Sequence, residues 1–327
     1  MDEWKGLFQT LEEQVAQLQR TVTSTQAGFP VRENLLPEAL LVFPPETPLI
    51  NRIPRKQGAG TAASWKELTG FTNVSTVFYA EGALPNAGTS AYVPQSAAYV
   101  LMGRTFGVTG FARAAGASFA DQLALERTNA IINLKMGIED ALVNANGTGN
   151  SFEGLIEQID AANGSYVESI SGALVMDDLA LAFREAHDRG YQISYVLVNA
   201  LQMEEINNLT LAAGTHSISV IRSEQGAIAG LGRVNQLIDP ISGVPVELMV
   251  HRDLAPGTIL GVPERLPVPL SGRQGQDGIW WDVLLDMTEV EIGATVDSVQ
   301  YFLKTYATLA FPARRGAFKL TDITSGS

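Results

Sequence analysis

The stretch SFADQLALERTNAIINLKMGIEDALVN, residues 118–144, decides how this chain is read. Leu123, Ile131, Leu134, Ile138 and Leu142 recur at helical spacing, and Leu125, Ile132, Met136 and Val143 form a second apolar stripe on another face. Ser118 followed by Asp121 gives a capping-box-like start, since a serine hydroxyl takes a free first-turn amide and an acid favours the positive end of the helix dipole. Asn144, Asn146 and Gly147 mark the stop. At ~1.5 Å per residue the predicted helix is roughly 40 Å long. Apolar on two sides, it is expected to be sandwiched; longer than a small domain is wide, it is expected to be a strut that joins separate parts.

Working outward towards the amino terminus, residues 64–113 read as two strands, 73–81 and 92–111, joined by the polar, turn-rich Gly82-Ala83-Leu84-Pro85-Asn86-Ala87-Gly88. Val74, Thr76, Phe78 and Ala80 alternate with other residues, as in a strand with one covered face. A hairpin this long is marginal in isolation and needs a surface to lie on. Before it, residues 30–60 carry Pro30, Pro37, Pro44, Pro45, Pro48 and Pro54, which forbids long helices and predicts an extended arm. Its anchors Leu35, Leu36, Leu40, Leu41, Val42 and Phe43 are too apolar for a solvated linker, and Arg52, Arg55 and Lys56 follow as a small basic patch. Trp4, Phe8, Leu11, Val15, Leu18 and Val22 form a heptad seam of about three repeats, too short to stand alone, which docks on a neighbouring subunit or on its own fold.

On the carboxyl side helix and strand alternate. The expected elements are a helix from Met176 to Gly190, a buried strand 195–198, a helix 200–213, and strands 244–250 and 258–262. Together they predict a compact α/β domain from about residue 155 to about residue 286. Residues 299–311 and 317–323 read as strands around the basic turn 312–316, a hairpin expected to rejoin the domain of the long helix.

Composition narrows the function. The chain has 327 residues, 46% of them hydrophobic and 17% charged, enough for real cores. Thirty-five acids against 22 bases give a net charge of −13, which argues against binding bare nucleic acid by phosphate neutralisation. There is no cysteine, hence no disulfide, thiolate ligand or cysteine nucleophile, a usage that fits a reducing cytoplasm. No apolar run approaches the roughly 18 residues of a membrane span.

Catalytic chemistry is poorly represented. Of the three histidines, His187 sits beside Asp188 at a helix end, and His251 with Asp253 has the spacing of one strand face but lacks an evident third ligand; His216 adds nothing. The glycine-bearing turns 147–155 and 226–232 lack the strand–turn–helix setting and the lysine of a phosphate cradle. No Gly-X-Ser-X-Gly elbow or His-Glu-X-X-His occurs. Neither an enzyme nor a cofactor is expected; the chain's unusual features are arms and hairpins.

The order of parts resembles the major capsid proteins of tailed bacteriophages, whose Johnson fold is shared with encapsulins. Thr47-Pro48-Leu49-Ile50-Asn51-Arg52-Ile53-Pro54 resembles the arm entering the peripheral domain. Ser64-Trp65 and the hairpin with Glu81-Gly82 resemble the E-loop, and residues 118–144 the spine helix. Asn146-Gly147-Thr148-Gly149-Asn150, Phe152 and Gly154-Leu155-Ile156 resemble the following turn. Gly243-Val244-Pro245-Val246 resembles the start of an axial-domain strand, and Tyr306 with Ala310-Phe311-Pro312 the closing peripheral strand. Each motif is unspecific; their order and spacing carry the resemblance.

The resemblance implies an α+β capsid fold divided into a helix and arm (1–60), E-loop and start of the peripheral domain (61–113), spine helix (114–154), axial domain (155–297) and a return to the peripheral domain (298–327). It implies hexamers and pentamers closing an icosahedral shell around double-stranded DNA, which is enclosed and not specifically bound, with no membrane partner. Portal, scaffold and cement proteins are the further partners, the virion is the location, and the bacterial host cytoplasm is the place of assembly. Expected subunit contacts are Leu84, Pro85 and Asn86 at the hairpin tip, Arg52, Arg55, Leu11 and Leu18, with Arg314 and Arg315 pairing with acids across a local threefold and residues 215–230 nearest the capsomer axis. Some members link an E-loop lysine to a neighbour's asparagine; no lysine lies between Lys66 and Lys135, so a shell held by burial and strand pairing is expected. The amino-terminal heptads are expected to be a permanent arm helix and not a remnant of a cleaved scaffolding region. An encapsulin container and a soluble α/β enzyme are the competing readings.

Overall fold

The computed structural model describes residues 46–72, 77–85, 87–116, 121–212, 220–223, 226–229, 234–267, 277–292 and 297–324. The heptad seam, with Leu11 and Leu18, and most of the arm lie outside them.

The long helix, α3 (Gln122–Asn144), follows a short helix α1 (Pro48–Arg52) and a second, α2 (Gly110–Gly116). It starts three residues later than the Ser118 cap requires. Asp121 is the N-cap, its carboxylate accepting from the amides of Leu123 (3.1 Å) and Ala124 (3.3 Å). Leu134, Ile138, Leu142 and Val143 are buried, whereas Leu125, on the second stripe, is exposed. The helix is therefore covered on both faces only over its carboxyl half, because its amino-terminal turns have less of the chain packed around them.

That cover is a four-stranded sheet in the order β1 (Arg55–Gln57), β12 (Trp280–Ile292), β13 (Ser298–Ala310), β4 (Val100–Thr109). Strands β12, β13 and β4 are antiparallel and β1 runs parallel to β12. The long β12 was not expected. Its acids Asp282, Asp286, Glu289 and Glu291 mask the alternation of a strand covered on one face. Gly103 and Gly107 let β4 approach β13, since a Cβ would come 2.5 Å from the Leu303 carbonyl oxygen and 2.7 Å from that of Val299.

The second layer is a six-stranded sheet in the order β5 (Tyr166–Gly172), β14 (Phe318–Ile323), β11 (Ile259–Val262), β6 (Tyr195–Val198), β10 (Pro245–Val250), β9 (Gln236–Ile238). Every residue of β6 and β11 is buried, as continuous apolar runs in central strands should be. Leu179, Ala182, Phe183 and Ala186 of helix α5 (Met176–Asp188) belong to the same core as Val196, Val198, Ile259, Phe318 and Leu320. Helices α4 (Leu155–Gln158) and α6 (Ala200–Ala212) and the small antiparallel pair β7 (Val220–Ser223) and β8 (Gly226–Ala229) complete the described elements.

Three expectations need correction. Residues 318–323 do not form a hairpin with 298–310: the 3₁₀ turn Pro312–Gly316 carries the chain to the other sheet, where β14 pairs with β11 and β5. The α/β layer is consequently discontinuous in sequence, and β12, expected within residues 155–297 of the axial domain, belongs to the sheet under α3. The hairpin is β2 (Ala62–Phe71) with β3 (Ser90–Ala98), and residues 77–80 are not strand. The run 92–111 divides at Tyr99, one half pairing in the hairpin and the other entering the four-stranded sheet.

Candidate subunit-contact surfaces

The arm is fastened where three parts of the chain meet. Helix α1 has no side-chain cap from Thr47, and Pro48 has no amide to donate, so the first-turn amides of Leu49 and Ile50 need an acceptor. Glu139 of α3 supplies it, accepting at 2.7 Å and 2.9 Å. The same carboxylate lies 3.0 Å from His251 Nε2 just beyond β10, both side chains being 1% exposed. The Asp253 amide donates to His251 Nδ1 (3.3 Å), which leaves Nε2 as the nitrogen that donates to Glu139. The Asn144 side chain adds a bond to the Asp253 carbonyl (2.8 Å). A buried carboxylate with three donors is stable; one stripped of them is costly.

Arg52 belongs to this junction. It donates to Glu264 and Glu247, and its guanidinium lies 4.3 Å from the Tyr195 ring centroid. Desolvation lowers its pKa, and the bonds and attraction from the two glutamates more than offset this. Its charge is paired inside its own chain. Arg314 is similar: it sits largely buried, 3.6 Å from Glu67. Arg55 and Arg315 are exposed.

Among the described residues the hairpin is anchored at one end only. Trp65 packs edge-on against Trp280 (5.9 Å), and Lys56 Nζ lies 3.8 Å above the Trp280 ring. The Tyr99 hydroxyl donates to Asp282 (2.7 Å). Burial, then the Asp282 bond and charge, push the Tyr99 pKa up to about 12. Away from this root the surface is open: Phe71, Tyr79 and Tyr92 are exposed, and Phe78 and Leu84 reach 91% and 92%. Pro85 is exposed; Asn86 lies outside the described residues. An exposed cluster of large apolar side chains marks an interaction surface.

Among the sequence-derived contacts, the structure thus leaves Leu84, Pro85, Arg55 and Arg315 outward and engages Arg52 and Arg314 internally. Much of the loop 215–230, with His216, lies outside the described residues. Glu139 was missed, although a carboxylate between Ile138 and Leu142 on a buried face was a readable signal. Among the described residues no group of three or more histidine or acidic side chains could hold a metal ion, and no helix is long and apolar enough to cross a membrane.

A spine helix under one sheet, a second α/β layer and a half-anchored hairpin define the shell-forming fold of tailed-phage capsids. The solved structures agree. The chain is similar to the capsid of a native GTA particle (11% identity, 94% of this chain and 100% of that one, TM-score 0.65). It is also similar to the cyanophage A-1(L) capsid (14%, 90% and 98%, 0.65) and to the SrpI encapsulin of Synechococcus elongatus PCC 7942 (13%, 90% and 92%, 0.60). No curated protein matches it in sequence. The family model of the SU10 major capsid protein matches residues 15–324, and the chain belongs to that family. It is a structural protein of the virion shell and not an enzyme.

Proposed function

We propose that the subunit assembles through hexamers and pentamers into an icosahedral shell enclosing double-stranded DNA. The observation that carries this reading is the half-anchored hairpin, whose apolar far end is uncovered in the single chain. Covering a large apolar side chain stabilises by roughly 1.5–3 kcal/mol, and repetition around closed symmetry multiplies that gain. The net charge of −13 suits a container whose wall must not adhere to its DNA. Leu84, Pro85 and Asn86 are the contacts at the tip, and Arg55 and Arg315 are exposed charges elsewhere on the subunit. Portal, scaffold and cement proteins complete the assembly, which takes place in the host cytoplasm. Residues 155–262 with 318–323 serve as the axial domain, and α3 with the four-stranded sheet as the peripheral domain.

Electron microscopy of the purified protein tests the reading, with shells or ring-shaped capsomers as the expected outcome. Particles made alongside the packaging machinery should hold nuclease-protected double-stranded DNA. Particles filled with a protein cargo and no DNA would establish an enzyme container instead.

A further inference from the structure

A cleft of about 930 Å³ lies at the root of the hairpin, between β2 and the segment around Pro312–Gly316, with Trp65, Trp280 and Tyr191 among its walls. Its size is that of a pocket able to take a drug-sized ligand or several side chains. Its charges are unbalanced. Glu67 is engaged by Trp65 Nε1 (2.9 Å) and Arg314, and Asp277 by Lys56 (3.2 Å). Lys66 and Arg315 line the same cleft with no carboxylate partner among the described residues.

The far end of the hairpin carries the complement. Residues 77–85, VFYAEGALP, expose Phe78, Tyr79 and Leu84, and Glu81 is their one charged residue. This tip does not fill its own cleft: the cleft lining runs along β2 as far as Phe71, the Thr72 amide bonds the Thr89 carbonyl (2.9 Å) next to it, and farther out Phe78 and Leu84 stand in the open.

We propose that the cleft receives the hairpin tip of a second copy of the chain, with Phe78 and Leu84 against Trp65 and Trp280 and with Glu81 facing Lys66 and Arg315. Tip and cleft are different patches of one chain, so the contact is head-to-tail: every copy gives one tip and takes one, and the series closes when the rotation between copies completes a ring. The inference rests on reading the chain as a shell subunit, and adds to it the surface on which the hairpin lands.

The test places a photo-cross-linking residue at Leu84 in assembled particles made from mixed isotope-labelled and unlabelled chains, and maps the linked peptides. Links between copies to residues 65–71 or 312–316 are the expected result. Links that map elsewhere overturn the cleft and leave the shell reading intact, whereas a wild-type chain that forms no particles overturns the shell reading itself. Charge reversal gives a second measurement: Glu81→Lys and Lys66→Glu should each lower particle yield about tenfold, the scale of a 1.4 kcal/mol loss, and the double variant should recover it. Unchanged yields in the single variants, or no recovery in the double one, overturn the pairing.

Discussion

In the six-stranded sheet every residue of β6 and β11 is buried; across β2 and β3 only Ala63 is. Both regions are rich in apolar residues and both are well-paired strands, so local propensity does not separate them. The difference is what lies on their faces. The central strands have helix α5 and the junction around Glu139 to cover them, while the hairpin leaves its root at Tyr99 and Trp65 and runs out past the chain's own surface. A strand pair with two uncovered faces is stable only where something else supplies the cover. The molecule is thus finished in one region and dependent on copies of itself in the other.

The largest expected effect falls on the dependent region. Replacing Leu84 and Pro85 by aspartates should abolish shells seen by microscopy while the subunit keeps its circular dichroism and its unfolding midpoint; intact particles would break the comparison. Next comes the junction. Glu139→Ala strands the Leu49 and Ile50 amides and the His251 donor, and should lower unfolding free energy in denaturant titration by about 3–5 kcal/mol. A smaller contrast sharpens the point: Leu197→Ala in β6 should cost the dissociated subunit about 2–5 kcal/mol, whereas Tyr92→Ala in β3 should stay within about 0.5 kcal/mol until the shell forms.

Tyr99 gives the smallest effect and a defined pH dependence. Its folded pKa lies above that of the unfolded tyrosine, so the unfolded chain loses its proton first. The stability contributed by the Tyr99–Asp282 bond is fully present below about pH 10 and is lost as pH rises through about 12. Burial raises Tyr166, Tyr191 and Tyr195 as well, so absorbance titration should show several tyrosines ionising late, and Tyr99→Phe should remove the part of that signal near pH 12 at a cost of about 1 kcal/mol. A late signal that Tyr99→Phe leaves unchanged would remove Tyr99 as the hairpin's tie.

The parts of the fold that periodicity specifies were legible in the sequence. The stripe Leu134, Ile138, Leu142 gave the long helix, and the apolar runs at 195–198 and 258–262 gave the central strands. What escaped depends on partners remote in sequence. Nothing near residue 318 says that β14 crosses to the other sheet, because that choice is made by pairing with β11 and β5. The acids of β12 hid a strand whose register is set by β13. For the contact surfaces, the tip was legible as the turn of a hairpin too long to stand without a neighbour, though it read as polar and the exposure of Phe78 and Leu84 was not foreseen. Arg52 and Arg314 were not: an arginine's sequence neighbours do not reveal that glutamates more than a hundred residues away neutralise it.

The most direct measurement of the account is hydrogen exchange of residues 62–71 and 77–85 in dissociated subunits and in assembled particles of the same protein. Assembly should slow exchange at the hairpin strongly and leave β6 and β11, already protected in the subunit, unchanged. Equal exchange at the hairpin in both states would contradict the claim that sister copies supply its cover.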